Sequence, residues 1–183
     1  MIDTLQADAV LAATRLWLDR AVVGLGLCPF AAPVIRAGRL RIELSAARAP
    51  GELLEELCRE LLWLADRDPQ ECETTLLVHP GALTDFAEFN EFLGDFDRAL
   101  AGLGLEGILQ VASFHPRYQF AGTAPDDIGN CTNRSPYPML HLLREDSITA
   151  AVDAGADADA ICSANVRTLE TLGAAGWAAL WRK

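Results

Sequence analysis

Residues 74–80 read TTLLVHP, and this short apolar stretch decides the fold class. Leu76, Leu77 and Val78 follow one another without intervening polar residues, which predicts a strand that is buried on both faces. Pro80 has no backbone N–H to donate to a sheet, so we expect the strand to end ahead of it. A strand buried on both faces requires helices on both sides of its sheet, and the stretch therefore predicts an α/β protein.

Further strands and helices are predicted around this central strand from alternating and from 3.6-residue periodic apolar side chains. The predicted strands are residues 39–45, 74–78, 108–114 and 139–143. The predicted helices are residues 5–23, 52–65 (with a buried face of Leu54, Leu57, Leu61 and Leu62), 85–103, 146–152 (capped by Asp146) and 159–181. We expect a single domain over residues 1–183, with about four strands in a mainly parallel or mixed sheet that is flanked by helices.

Composition and charge argue against several classes of protein. The chain has a net charge of −11 and scattered arginines, so it has no basic stripe for nucleic acid. The sequence lacks the run of about 18 apolar residues that a membrane span needs, and its first residues lack the basic segment of a signal peptide. The five cysteines form no CxxC pair, which argues against a disulfide framework or a zinc ribbon. We therefore expect a cytoplasmic protein that binds neither nucleic acid nor membranes.

The connection between the third and fourth predicted strands, residues 113–138, departs from the regular pattern. Connections of this length inside a compact domain are uncommon and are often functional. We expect this loop to be ordered, because it carries four aromatic anchors: Phe114, Tyr118, Phe120 and Tyr137. The alternative is an ordered loop without function, held by side-chain turns and its own packing. The segment 113–144 is the predicted location of the site.

Two of the three histidines end predicted strands. His79 and His115 each precede a proline, and parallel strands would bring both to the carboxyl edge of the sheet, where α/β proteins bind ligands. We expect the two imidazoles to be close enough to share a ligand or a metal ion. His141 lies within the fourth strand. The alternative is that each histidine only hydrogen-bonds a neighbouring loop.

One chemistry that these residues would support is catalysis assisted by a divalent metal ion. His79, His115 and His141 are its candidate ligands. The ion would be a divalent one that promotes hydrolysis or is redox-inert. Asp126 or Asp127 would complete the site as a ligand or as an acid–base partner. The spacing of these residues matches no compact metal motif.

A second chemistry is thiol catalysis, with Cys28 as the nucleophile and His115 as its base. Pro29 holds Cys28 outside the helical region and on a fixed turn. The alternative is that Cys28 is a small buried hydrophobic residue.

A third chemistry is the recognition of an anionic small molecule. Arg117, Arg134 and Arg144 outnumber Asp126 and Asp127 within residues 113–144, so this segment is locally basic in an acidic chain. Guanidinium groups suit carboxylate or phosphate groups, although they could instead pair with those two aspartates. The predicted substrate-binding residues are Arg117, Asn130, Asn133, Arg134 and Ser135.

Several of these motifs together resemble the bacterial domain-of-unknown-function 1415 family. The matching stretches are GLGLCPFA (24–31), TTLLVHP (74–80), LQVASFHP (109–116), RSPYP (134–138) and LHLLRE (140–145). One departure is Gly26, where the family leads us to expect a polar residue such as asparagine. The resemblance implies a bacterial cytosolic protein and implies no particular reaction.

Two functional hypotheses follow from the sequence. The first is an enzyme that acts on a small anionic substrate. His79 and His115 would serve as acid, base or metal ligands, and Arg117 and Arg134 would bind the anionic group of the substrate. The second is a non-catalytic module that binds a ligand or a partner through residues 113–138. A metal ion held by both histidines would favour the enzyme, whereas internally paired arginines would favour the binding module.

Overall fold

The computed structural model of the chain describes residues 4–182 and shows one four-stranded sheet between two layers of helices. The strands are β1 (Leu40–Leu44), β2 (Thr74–Val78), β3 (Leu109–Phe114) and β4 (Met139–Arg144). The helices are α1 (Thr4–Trp17), α2 (Ala31–Arg36), α3 (Pro50–Ala65), α4 (Phe86–Gly102), α5 (Glu145–Asp153) and α6 (Ala158–Ala179). A π-helical turn (Leu18–Val23) continues α1, and a 3-10 turn (Ile128–Asn133) lies in the long loop. The predicted α/β class is confirmed.

The sheet is mixed, with the strand order β1-β2-β4-β3. β1 and β2 are parallel, and β4 is antiparallel to both of its neighbours, β2 and β3. β2 and β3 are therefore parallel to each other, as expected, but β4 lies between them. The reason lies in the side chains of β4, because Met139, Leu140 and Leu142 are all buried and need an interior position in the sheet.

Each face of the sheet carries its own hydrophobic core. Leu77 and Leu140 pack with α3 and α4 on one face, where Phe89 and Phe96 are buried. Leu76 and Val78 pack with α1, the π-helical turn and α6 on the other face. All five residues of β2 are buried, which confirms the strand covered on both sides that its unbroken apolar run predicts.

Some local predictions differ from the structure. The buried residues of α3 are Leu53, Leu57, Leu61 and Leu64, whereas Leu62 is 50% exposed. The predicted face was therefore wrong at Leu62, whereas Leu54 is partly buried and packs against the core. The spacing of the buried leucines is the ordinary helical one. The N-cap of α5 is Arg144 and not Asp146, which lies inside the helix.

The predicted final helix exists and is kinked at a glycine. Gly173 has a φ of 66° and a ψ of 171° inside α6, a conformation that residues with a Cβ atom rarely adopt. Across residues 4–182 the structure contains no helix with the combination of length and apolar character needed to cross a membrane.

Candidate functional site

His79 and His115 lie at the same edge and on the same face of the sheet. Val78 and Phe114, the last residues of β2 and β3, both pair with Met139 of β4, so each histidine follows its strand at the same level. The expectation of a common edge is confirmed, whereas the two strands are not neighbours. Both imidazoles pack on the ring of Phe89, with centroid distances of 5.7 Å for His79 and 5.2 Å for His115. Two strand spacings amount to about 9.6 Å, so the gap between the imidazoles is wide enough for that ring.

His79 is fully buried and holds the loop that follows β2. Its Nδ1 donates a hydrogen bond to the carbonyl of Ala82 at 2.9 Å, which leaves Nε2 as an unprotonated acceptor in the neutral ring. Nε2 has no hydrogen-bond partner among residues 4–182. Burial lowers the pKa of His79 to about 4, because the charged ring would lose its hydration, and the bond to Ala82 only partly offsets this. His79 is therefore neutral at pH 7.

His115 is also fully buried but has the opposite tautomer. Its Nδ1 accepts a hydrogen bond from the backbone N–H of Arg117 at 3.0 Å, so the neutral ring carries its proton on Nε2. Nε2 has no hydrogen bond of good geometry within the described chain. Burial lowers the pKa of His115, and the nearby carbonyl of Thr84 acts in the opposite direction. His79 begins the loop 79–85, and His115 lies beside the same loop. Leu83 in this loop adopts a φ of 50°, which is costly for a leucine.

The three histidines do not form one metal site. His141 points to the other face of the sheet, where its Nε2 donates to the hydroxyl of Thr74 at 2.7 Å while that hydroxyl donates to the carbonyl of Leu142. His115 would have to lose the proton on Nε2 before that atom could coordinate a metal ion. Within residues 4–182, the structure brings no three histidine, cysteine or acidic side chains together as a metal-binding group. The geometry therefore gives no support to metal-assisted hydrolysis.

Cys28 and His115 do not meet. Cys28 is half-buried against the core on the α1 and α6 face, whereas His115 packs on Phe86 and Phe89 of α4 on the opposite face. The sheet lies between them, so the predicted thiol–imidazole pair is not formed. Each of the five cysteines is a free thiol.

The two candidate aspartates of the long loop lie away from the histidines. Asp127 caps the 3-10 turn by accepting from the backbone N–H of Gly129 at 2.8 Å, and Asp126 is exposed. The carboxylate that acts on His115 is instead that of Asp85. The sequence placed Asp85 only at the first position of the predicted helix 85–103, although its place six residues after His79 was a usable signal.

Asn130 holds the long loop together from inside. Its side chain is fully buried, with Oδ1 accepting from the backbone of Phe120 and the hydroxyl of Thr123, and Nδ2 donating to the carbonyl of Ala124. The other two predicted polar ligands are also used internally. Asn133 donates to the carbonyl of Ser113, and Ser135 donates to the carbonyl of Tyr137. These three side chains shape the loop through internal hydrogen bonds.

Replacing Asn130 with Ala should destabilise the loop. The change leaves the backbone N–H of Phe120 without a partner, and the hydroxyl of Thr123 and the carbonyl of Ala124 each lose one of their two hydrogen bonds, which costs about 1–3 kcal/mol. Limited proteolysis followed by mass spectrometry should show faster cleavage within residues 118–127. Asn133→Ala, which removes a single bond at 3.2 Å, is the matched control. Equal cleavage of the two variants would contradict the assigned role of Asn130.

Two of the three arginines reach one open cleft of about 390 Å³. The cleft lies between the N-terminal end of α4 and the long loop. Its lining residues are Asp85, Phe86, Ala87, Pro116, Arg117, Gln119, Pro125 and Arg134. Phe86 is also packed against His115, with centroids 5.3 Å apart, so the imidazole lies behind the cleft wall.

The arginines of the cleft differ in how firmly they are held. Arg117 pairs with Asp85 at 2.7 Å, and both side chains are largely exposed. Arg134 donates to the carbonyls of Tyr118 and Pro125 at 3.2 and 2.6 Å, which orients its guanidinium group. Neither of them pairs with Asp126 or Asp127 within the described part of the chain.

Arg144, in contrast, has a structural role. It is 9% exposed, and its Nη2 donates to the carbonyls of Leu64 in the last turn of α3 and of Arg67 and Cys72 in the connection to β2. A cation at the C-terminal end of a helix is stabilised by the helix dipole. Arg144 therefore joins β4 to α3 and does not contribute to the cleft.

Comparison with known proteins gives a family and no activity. Neither the curated proteins nor the solved structures include a significant match to this chain. A family model described as a protein of unknown function (DUF1415) matches residues 9–179, which include every strand and every residue of the cleft. The chain therefore belongs to the DUF1415 family.

Proposed function

We propose that this protein binds a small molecule with an anionic group in the cleft between α4 and the long loop. The observation that carries the proposal is that Arg117 and Arg134, two guanidinium groups from different parts of the loop, line one cleft in a chain of net charge −11. Guanidinium groups bind carboxylate and phosphate groups through paired hydrogen bonds. A volume of about 390 Å³ suits a small ligand.

Arg134 is the better oriented of the two cationic groups. Its Nε and Nη2 atoms are held by two backbone carbonyls, so its remaining N–H groups keep a defined direction. Arg117 is more exposed, and its ion pair with Asp85 is of the kind that contributes little to stability. Arg117 is therefore free to exchange Asp85 for a group of the ligand.

The second candidate is an enzyme that uses this cleft, and His115 favours it. The ring is neutral, its Nε2–H lacks a hydrogen-bond partner within residues 4–182, and the cleft residue Phe86 packs on it. Rotation of Phe86 would bring this donor to a bound ligand as a general acid. We rank ligand binding above catalysis because both imidazoles are fully buried and one strand, β4, lies between the strands that they follow.

Replacing Arg117 or Arg134 with Met should weaken binding of the anionic ligand by about tenfold or more, the effect of losing one charged hydrogen bond. Isothermal titration of the intact chain with a panel of small carboxylates and phosphates would measure this. Arg98→Met is the matched control, because Arg98 is an exposed arginine of α4 that pairs with Asp95 outside the cleft. Unchanged affinity in both cleft variants, or no binding by any compound of the panel, would overturn the proposal.

A further inference from the structure

Asp85 places a negative charge inside a cleft that is proposed to hold an anion. Its two carboxylate oxygens have separate partners, since Oδ1 accepts from the backbone N–H groups of Ala87 and Glu88 while Oδ2 accepts from Arg117. The hydrogen bonds from Glu88 and Ala87 hold the pKa of Asp85 below its ordinary value. The carboxylate is therefore ionised at neutral pH, and the first N–H groups of α4 are already occupied.

A ligand that carried only negative charge would be poorly matched to this arrangement. To bind Nη2 of Arg117 it would displace the carboxylate of Asp85, and at the other N–H groups of Arg117 it would lie beside that carboxylate. Like charges at such short range repel, and the repulsion would reduce the benefit of the new contact with Arg117. The cleft thus selects against a simple anion.

A ligand with an ammonium group beside its acidic group avoids this penalty. Its carboxylate would replace Asp85 at Arg117, while its ammonium group would replace Arg117 at Asp85, so that every charge keeps a partner. The exposed ion pair opens at little cost because such pairs contribute little to stability. Arg134 remains for a second acidic group.

Building on the proposed function, we propose that the ligand is an α-amino acid, and that an acidic amino acid fits best. The charged groups of the cleft are two guanidinium groups and one carboxylate, and an acidic amino acid carries the complementary two carboxylates and one ammonium group. Gln119 lines the same cleft while its Nε2 donates to the carbonyl of Thr123, and Phe86 and Pro116 supply apolar walls for the methylene groups.

The test compares L-glutamate with glutarate, which has the same two carboxylates and no ammonium group. The intact chain is titrated with each compound, and binding is followed by amide chemical shifts of residues 85–87 and 117–119. We expect glutamate to bind about tenfold or more tightly than glutarate, because one charged hydrogen bond is added. Asp85→Asn should reverse this order, since Asn still caps α4 but no longer attracts the ammonium group.

The control and the possible outcomes separate this inference from the proposed function. Asp95→Asn removes an exposed carboxylate of α4 outside the cleft and should leave the preference for glutamate unchanged. Glutarate binding as tightly as glutamate to the unmodified chain would overturn the amino-acid inference while the proposed anion site stands. An unchanged preference in Asp85→Asn would remove Asp85 from the site. Absence of binding by either compound and by every other anion tested would overturn both proposals.

Discussion

Acidification from pH 8 to pH 5 should destabilise this protein by about 2 kcal/mol for each of two buried histidines, His79 and His141. Both have a pKa of about 4 in the folded state, and burial is the main cause. In the unfolded chain both return to the ordinary value of 6.5. Below pH 6.5 the unfolded state therefore binds protons that the folded state does not. The contribution of the two neutral histidines to stability is fully present above pH 6.5 and is lost as the pH falls towards 4.

Urea unfolding at several pH values between 8 and 5 measures this effect, and in this range most carboxylates stay ionised. The slope of unfolding free energy against pH near pH 5.5 should fall by about 1.2 kcal/mol per pH unit in His79→Gln and again in His141→Gln. The slope is the readout, because either substitution also changes stability at all pH values. Parallel curves for the variants and the unmodified chain would show that these histidines do not resist protonation.

Replacing Phe89 with Ala should reduce the free energy of unfolding by about 3–5 kcal/mol, as expected for removal of a fully buried aromatic ring. Phe89 is 0% exposed and packs on both His79 and His115. The substitution would leave a cavity between two buried imidazoles whose Nε2 atoms lack partners within residues 4–182. We expect water to enter this cavity, so the pH dependence of stability should weaken as well.

Chemical denaturation of Phe89→Ala and of a control on the same helix tests this prediction. Phe92 is one turn further along α4, is only partly buried and packs on Phe96. Phe92→Ala should therefore cost distinctly less than Phe89→Ala. Similar decreases in the free energy of unfolding of the two variants would mean that the packing of Phe89 between the histidines adds nothing to stability.

The candidate site was predicted only in part from the sequence. The sequence placed His79 and His115 at the ends of strands, and the helix between the strands made those strands parallel, so their common edge followed. The position of β4 between them did not follow, because strand order depends on pairing between segments that are far apart in the chain. Burial of Met139, Leu140 and Leu142 is the feature that places β4 inside the sheet.

The roles of the three arginines likewise depend on the tertiary structure and do not follow from the sequence. Arg117, Arg134 and Arg144 look alike in the sequence, because all three lie within the segment 113–144. The fold gives them different partners: a carboxylate on α4 for Arg117, loop carbonyls for Arg134, and carbonyls near the end of α3 for Arg144. None of these contacts can be derived from local spacing.

The sequence by itself determined the α/β class and the positions of its strands and main helices. These follow from the spacing of apolar side chains, which reflects interactions between residues a few positions apart. Only the tertiary structure decided that Asp85 meets Arg117, that His141 turns away from the other histidines, and that Cys28 lies on the far face. Such contacts depend on how the strands are ordered and how the helices pack on them, and these are properties of the whole chain.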